Sequence, residues 1–182
     1  RFGGMRVNLR WVVAILGALM PACSSAPPHP PLRPVSYVDL NRFMGDWYVL
    51  ANIPTRMERG AHNAIERYRL ASDGRVLTTF TFRDGAFDGP EKRYEPVGFI
   101  RNRHSNAVWG MQFLWPFKAD YRIAYLDEDY RTTIVAREAR DYVWIMARTP
   151  SIEAAEYDRL VGRVQDLGYD IAKLQRVPQQ QR

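Results

Sequence analysis

The chain has 182 residues, with 26 lysines and arginines against 20 aspartates and glutamates, and a single cysteine. Three of the basic residues lie in the N-terminal segment 1–22, so 23 basic and 20 acidic residues remain after it. The remaining net charge of +3, without a basic cluster, argues against nucleic-acid binding. One cysteine excludes an intramolecular disulfide, and the 160 residues after this segment suit one domain stabilised by its own core.

Residues 1–22 have the pattern of a secretion signal. Arg6 and Arg10 precede the uncharged segment 11–20 (WVVAILGALM), which Pro21 ends. This segment is too short for a bilayer-spanning helix, which needs roughly 20 apolar residues. We therefore predict a signal peptide over residues 1–22, with Met5 as its natural start.

Cys23 is the predicted site of membrane attachment. The segment 19–23 (LMPAC) resembles a bacterial lipobox, in which the cysteine becomes the first mature residue and is acylated. The resemblance implies a diacylglycerol on the sulfur and an acyl chain such as palmitate on the amine, and two or more chains anchor a protein stably. Ser24 in the next position implies release to the outer membrane. The alternative is a secreted protein with one free thiol.

Residues 23–35 are predicted to form a linker. Five prolines occur within 26–34 (APPHPPLRP), a composition typical of an extended, semi-rigid spacer. The spacer should hold a folded domain away from the lipid surface without joining its core, and His29 within it should be solvated.

From residue 46 onward, short segments rich in aromatic and β-branched residues recur, separated by turn signals such as 72–74 (SDG) and 127–129 (DED). Most connections are too short for parallel crossovers, so the segments predict an antiparallel up-and-down meander. Closure into an eight-stranded barrel would protect its edges and leave room for one small ligand, whereas a two-sheet sandwich would give a similar pattern. The predicted strands are 46–53, 63–71, 75–83, 92–101, 106–114, 119–126, 130–137 and 141–148.

A helix is predicted after the last strand. Residues 149–151 (TPS) form a helix-start signal, and Gly168 forms a stop signal. The apolar residues between them repeat at helical spacing and should pack on the outer wall of the sheet. They are Tyr157, Leu160, Val161, Val164 and Leu167. A short strand over 171–174 and a disordered tail over 178–182 should complete the chain.

Several motifs occur in a defined order along these elements. They are 38–40 (VDL) with 45–48 (GDWY), 59–60 (RG), 115–117 (WPF), 126–130 (LDEDY) and 141–150 (DYVWIMARTP). In this order and spacing they resemble the bacterial outer-membrane lipocalins of the Blc type, in the apolipoprotein-D-like branch. The resemblance covers residues 36–177, the predicted lipocalin domain. It implies an all-β, eight-stranded antiparallel up-and-down β-barrel with one C-terminal α-helix packed outside.

The resemblance also implies structural roles for Gly45, Trp47 and Arg148. In lipocalins the matching tryptophan plugs the closed end of the barrel, and the matching arginine lies across it and binds backbone carbonyls of the N-terminal segment. A guanidinium can stack on an indole while its planar fork still donates hydrogen bonds. Arg148 should therefore stabilise the fold rather than bind a ligand.

Side chains that face the barrel interior should contact the ligand, and the two-residue alternation of strands predicts which they are. The inward positions of three strands are large and apolar, as in a lipid pocket, although each of these side chains could equally fill a solid core. They are Trp109, Met111, Phe113, Tyr121, Ile123, Tyr125, Tyr142, Trp144 and Met146.

Glu66 is predicted to point inward among apolar side chains. The alternation that places Tyr68 and Leu70 inside leaves Arg67 outside and puts Glu66 inside as well. Because burial of an unpaired carboxylate is costly, Glu66 should meet an arginine, face water near the open end, or bind a polar head group.

No catalytic or metal-binding pattern is evident. Cys23 precedes the domain, and His62 and His104 lie in loops without metal-site spacing. We predict a protein that is not an enzyme, has no cofactor or metal, and is a monomer or weak homodimer. It should bind a fatty acid or lysophospholipid for storage, transport or membrane maintenance, lipid-anchored at the periplasmic face of the outer membrane. The alternative is an envelope interaction module with a filled barrel, using residues 115–117 as its contact.

Overall fold

The computed structural model describes residues 29–180, so the predicted signal peptide and Cys23 lie outside the described residues. Within residues 29–180, no helix is both long and apolar enough to cross a membrane. The α-helices are α1 (Leu40–Phe43) and α2 (Ala154–Asp166), and a 3₁₀ helix spans Ile171–Lys173. The strands are β1 (Gly45–Ile53), β2 (Ala61–Leu70), β3 (Val76–Asp84), β4 (Glu91–Tyr94), β5 (Val97–Ile100), β6 (Val108–Leu114), β7 (Phe117–Leu126), β8 (Thr132–Ala136), β9 (Val143–Ala147) and β10 (Gln175–Arg176).

Strands β1 to β9 form an antiparallel sheet that closes on itself. Apart from β4 and β5, strands that follow each other in the chain pair with each other, and β9 returns to β1, where Ile53 pairs with Val143. Strands β4 and β5 are two segments of one strand, since both pair with β3 and only Glu95 and Pro96 separate them. Pro96 has no N–H to donate to the ladder, which explains the interruption. Counted in this way the barrel has eight strands, so the predicted closed barrel is confirmed and the sandwich is excluded.

The two ends of the barrel differ. The closed end carries α1 and the turns after β2, β5 and β7, and the open end carries the loops 54–60, 85–90, 115–116 and 137–142. Helix α2 runs along the outside from the closed end back to the open end. The chain then returns through β10, which pairs with the open half of β1.

Two apolar cores lie on opposite sides of the barrel wall. The inner core surrounds Trp47 and Trp109, and in the outer core Leu160 of α2 packs with Ile134 and Ile145 of the wall. Full burial of a leucine contributes about 1.5–3 kcal/mol. The predicted outer helix is confirmed, with its first residue at 154 rather than within the start signal.

β-Bulges shift the register in several strand pairs. Shifts occur between β1 and β9, β2 and β3, β6 and β7, and β7 and β8. A bulge adds one residue to one strand and reverses which face the following side chains occupy. In β1, for example, the adjacent residues Leu50 and Ala51 both pack in the outer core.

The segment before the domain is more ordered than its prolines indicate. Leu32 is buried in the outer core, and its N–H donates to the Glu138 carboxylate at 3.2 Å. The Val35 N–H donates to the Ile123 carbonyl at 2.9 Å. The expectation that the linker stays apart from the core is therefore wrong for this part of it, because the non-proline residues supply the donors and the apolar side chain that attach it.

The C-terminal segment also differs from expectation. The predicted strand over 171–174 is a 3₁₀ helix, in which the Asp170 carboxylate caps the Ala172 N–H at 3.1 Å, and β10 follows it. Residues 178–180 of the predicted disordered tail are ordered, since the Gln179 amide donates to the carbonyls of Val49 and Ala64 at 2.9 and 3.0 Å. These carbonyls flank bulges, where ladder partners are missing and the tail supplies replacements.

Candidate ligand-binding site

Trp47 and Arg148 seal the closed end of the barrel. The Arg148 guanidinium carbon lies 3.8 Å from the centre of the Trp47 ring. Its N–H groups donate to the carbonyls of Asp46 at 2.8 Å and Arg42 at 2.7 Å. Gly45 has a φ of 94°, and a Cβ there would lie 3.4 Å from the guanidinium. These contacts hold the segment around α1 across the barrel end.

Packed aromatic rings fill the part of the barrel next to the closed end. Trp109 stacks on Tyr121 with ring centres 5.0 Å apart, and Phe43 and Tyr68 meet Trp109 edge-on at 5.6 and 5.8 Å. Such ring pairs contribute about 0.5–1.5 kcal/mol each beyond the area that they bury. The rings form a floor that limits how deep a ligand can reach.

A cavity of about 220 Å³ lies above this floor, toward the open end. Its wall is mainly apolar, with aromatic and methionine side chains and a few polar groups. Because pockets for whole drug-sized ligands measure about 300–1,000 Å³, the cavity has room for part of a lipid chain. Its lining residues are Thr55, Met57, Glu58, Glu66, Thr78, Phe80, Pro96, Met111, Phe113, Ala119, Asp120, Tyr121, Arg137 and Trp144.

Half of the predicted ligand residues line this cavity. Strands β6 and β7 together contribute three of them, and β2 and β9 contribute one each. They are Glu66, Met111, Phe113, Tyr121 and Trp144.

Other predicted ligand residues face inward without reaching the cavity. Trp109, Ile123 and Met146 are fully buried in the inner core at the level of the floor. Tyr142 lies at the open end, where its ring is 6.4 Å from that of Trp144 and beneath the Arg137 guanidinium. Alternation predicts which face a side chain occupies but not its depth along the barrel, which explains these differences.

Tyr125 was predicted inside and lies outside. The register shifts between Ile123 and Tyr125, so that Ala124 and Tyr125 both pack in the outer core. There the Arg163 guanidinium of α2 lies 4.2 Å from the centre of the Tyr125 ring. The prediction is wrong because the bulge reverses the alternation at this point.

Glu66 is buried against two tyrosines rather than paired with an arginine. The Tyr68 hydroxyl donates to the Glu66 carboxylate, and the hydroxyls of Tyr68 and Tyr121 lie 2.6 Å apart. Burial raises the pKa of Glu66 from 4.5 to about 7, against the opposing effect of the Tyr68 hydrogen bond. The pKa of each phenol is also raised well above its ordinary value by burial, so both remain proton donors.

A second carboxylate, Glu58, enters the cavity from the loop after β1. Its Oε2 accepts hydrogen bonds from the Thr55 N–H at 3.1 Å, and from the Asn52 amide and the Trp144 indole N–H, both at 3.3 Å. Burial raises the pKa of Glu58 despite these donors. The sequence carries no signal for this residue, because strand alternation says nothing about a loop that folds inward.

Arg137 is the basic residue among the described lining residues, and it lies at the cavity mouth. Its Nε is 3.4 Å from the Asp141 carboxylate, and its guanidinium covers the Tyr142 ring. Asp120, also on the wall, pairs with Arg122 at 3.0 Å. The cavity therefore has its acidic groups inside and a cationic group at its rim.

His62 lies in β2 rather than in the predicted loop, His104 lies in the turn after β5, and neither lines the cavity. The Nδ1 of His62 is 2.9 Å from the Gly60 carbonyl oxygen, and its ring meets Phe87 edge-on. Within residues 29–180, no group of three or more His, Cys, Asp or Glu side chains is arranged to hold a metal ion.

A closed eight-stranded barrel with one sealed end and an apolar cavity open at the other defines a class of proteins that enclose small hydrophobic molecules. Residues 38–179 match the lipocalin-like domain, and the chain belongs to this family.

Other proteins are similar to this chain in sequence or in fold. The chain is 30% identical to the outer membrane lipoprotein Blc of Escherichia coli K12, over 93% of this chain and 95% of Blc. It is 28% identical to temperature-induced lipocalin-1 of Arabidopsis thaliana, over 80% of this chain and 81% of that protein. Among solved structures, insecticyanin of the tobacco hornworm Manduca sexta superposes with a TM-score of 0.65 at 16% identity, covering 81% of this chain and 84% of insecticyanin.

Proposed function

We propose that this protein binds the acyl chain of a fatty acid or lysophospholipid in its cavity and acts in lipid storage, transport or membrane maintenance rather than as an enzyme. The observation that carries the proposal is the apolar cavity above the aromatic floor, with Met111 and Phe113 on its wall. Methionine offers a deformable surface that suits acyl chains of different lengths.

The charges around the cavity favour entry of the chain with its tail first. Glu58 and Glu66 lie inside, and their ionised forms would repel the carboxylate or phosphate of an inverted ligand. Arg137 at the mouth offers an anionic head group a partner near water. A bound lipid should therefore point its tail at the floor and its head group at the open end.

The energetics set a minimum chain length. A dissociation constant of about 1 μM requires about 8 kcal/mol. At about 0.8 kcal/mol per buried methylene, this corresponds to roughly ten methylenes before any cost of ordering the chain. Chains shorter than this should bind weakly, and longer chains should extend from the cavity along the exposed side chains at its mouth.

We further propose that the protein is anchored through an acylated Cys23 at the periplasmic face of the outer membrane, as a monomer or weak homodimer. The sequence before the domain supports this proposal, because it combines a predicted signal peptide with a lipobox-like segment. The name of the relative Blc, an outer membrane lipoprotein, agrees with it.

A titration with a fluorescent fatty acid tests the ligand proposal. The full chain, freed of lipid, should bind saturably, and Trp144→Arg should weaken binding by at least about tenfold because it places a charge on the apolar wall. Tyr37→Arg is the matched control, since Tyr37 is 59% exposed on the outside, and its affinity should not change.

Thermal melting accompanies the titration. Equal affinity in Trp144→Arg and the parent, with both folded, would show that the ligand does not occupy this cavity. Absence of saturable binding to the parent would favour the envelope interaction module instead.

A further inference from the structure

The hairpin between β6 and β7 ends in a cluster of exposed apolar side chains. Trp115 is 81% exposed, Phe117 73% and Leu114 71%, and Phe113 beside them is 50% exposed. Monomeric soluble proteins rarely leave large apolar side chains grouped in this way unless the surface meets a partner or a membrane. We name residues 113–117 the hairpin tip.

The hairpin tip borders the cavity mouth. Phe113 belongs both to the tip and to the cavity wall, and Met57, across the mouth, is also 48% exposed. Lys118 lies directly behind the tip, with its Nζ 3.6 Å from the centre of the Phe99 ring. The tip therefore forms an apolar rim with a cation behind it, the arrangement of side chains that sit at a membrane–water interface.

The polypeptide leaves the described domain at this same end of the barrel. The Pro30 carbonyl accepts a hydrogen bond from Arg140 at 2.8 Å, in the open-end loop 137–142. The next residue toward the N-terminus, His29, lies beside Gly168, two residues after the end of α2, since a Cβ on that glycine would be 3.0 Å from the His29 ring. A lipid on Cys23 would thus be connected to the open end and not to the closed end.

The length of the tether makes this placement decisive for orientation. The seven residues from Cys23 to Pro30 reach at most about 25 Å. A ten-residue strand such as β2, tilted as in closed barrels, spans roughly 25 Å of barrel length. A barrel with its closed end on the membrane would need the whole tether fully extended, whereas one with its open end on the membrane would not.

We propose that the open end docks on the lipid bilayer, with the hairpin tip inserted at the interface, so that the cavity mouth faces the lipid. The proposal rests on the anchoring proposed for Cys23. A bilayer fits better than a protein partner, because the tether exit and the apolar rim share one end of the molecule. An acyl chain could then pass from the bilayer into the cavity without crossing water.

Single labels on the lipidated full chain test this orientation. An acylated Cys23 has no free thiol, so Trp115→Cys or Ser72→Cys supplies one reactive site for a nitrobenzoxadiazole dye. Ser72 is the matched control because it is exposed in the turn after β2, at the closed end. The proteins are reconstituted on vesicles of phosphatidylethanolamine and phosphatidylglycerol that contain a nitroxide-labelled lipid.

We expect blue-shifted and strongly quenched dye emission at position 115, several-fold more quenched than at position 72. Equal quenching at the two positions, or stronger quenching at 72, would overturn the proposal. Absence of quenching at 115 would also overturn it and would leave the tip as a protein contact.

Failure of the anchoring is distinguishable from failure of the docking. If the parent chain itself reacts with the dye at Cys23, the anchor is absent. The docking is then tested with the Cys23→Ser chain, in which Trp115→Ser with Phe117→Ser should lower vesicle affinity by at least about tenfold and Tyr37→Ser should not. Equal affinities in these variants would overturn the docking whatever the fatty-acid titration shows.

Discussion

Substitution of Glu66 by glutamine should stabilise the protein in a pH-dependent manner. Burial raises the pKa of this carboxyl from 4.5 to about 7, so the folded state binds the proton more tightly than the unfolded chain does. Below about pH 4.5 the carboxyl therefore has little effect on the free energy of unfolding. Between pH 4.5 and about 7 the free energy of unfolding falls as the pH rises, and above about pH 7 the loss stays constant. Glutamine cannot ionise and can still accept the Tyr68 hydrogen bond.

The pKa shift sets the size of the effect. A displacement from 4.5 to about 7 corresponds to about 3 kcal/mol. The gain in unfolding free energy of Glu66→Gln over the parent should therefore be about 3 kcal/mol larger at about pH 8 than at about pH 4.5. With a typical urea dependence of about 1–3 kcal/mol per molar, the midpoint at the higher pH should move by roughly 1–3 M.

Urea unfolding of the lipid-free chain, followed by tryptophan fluorescence at both pH values, measures this difference. Glu128→Gln is the control, since Glu128 is exposed in the turn after β7. Burial also raises the pKa of the nearby Glu58. Because Glu58 is present in both chains, its effect on the pH dependence of stability largely cancels when the two are compared. A stability difference that is the same at both pH values would refute the argument that Glu66 is buried as a high-pKa acid.

Two further substitutions test the closed end and the bulge. Arg148→Ala should lower the free energy of unfolding by about 3 kcal/mol, because it removes hydrogen bonds to several carbonyls and the stacking on Trp47, whereas Arg131→Ala on the exposed surface should change it little. Normal melting with lost fatty-acid binding in Arg148→Ala would instead give this residue a ligand role. Tyr125→Ala should lower the stability by about 1–3 kcal/mol and leave fatty-acid affinity unchanged, since its ring packs under Arg163. A loss of fatty-acid affinity in that variant, with unchanged stability, would indicate that Tyr125 faces the cavity.

Much of the architecture can be predicted from the sequence because it depends on local patterns. Alternation and turn signals predicted the antiparallel strands, and the helical repeat that includes Leu160 predicted α2 on the outside. The one predicted strand that is broken, over 92–101, contains Pro96, whose missing N–H marks the interruption.

The candidate site was predictable only in part. Met111, Phe113 and Trp144 line the cavity as their alternation indicated. Glu58 had no such signal, because its position depends on a loop that folds back to bring the carboxylate under the Trp144 indole.

The sequence by itself determined which segments become the barrel strands and the outer helix, which face of most strands is apolar, and which residues, Trp47 and Arg148, close one end. Only the tertiary structure decided where the aromatic floor ends and the cavity begins, on which side Tyr125 lies, and that Leu32 attaches the linker beside the open end. The physical reason is that the face of the sheet that a side chain occupies follows from the two-residue repeat of its own strand. Its position along the barrel axis, the bulges and the attachment of the linker depend instead on packing against residues distant in sequence, which no local pattern reveals.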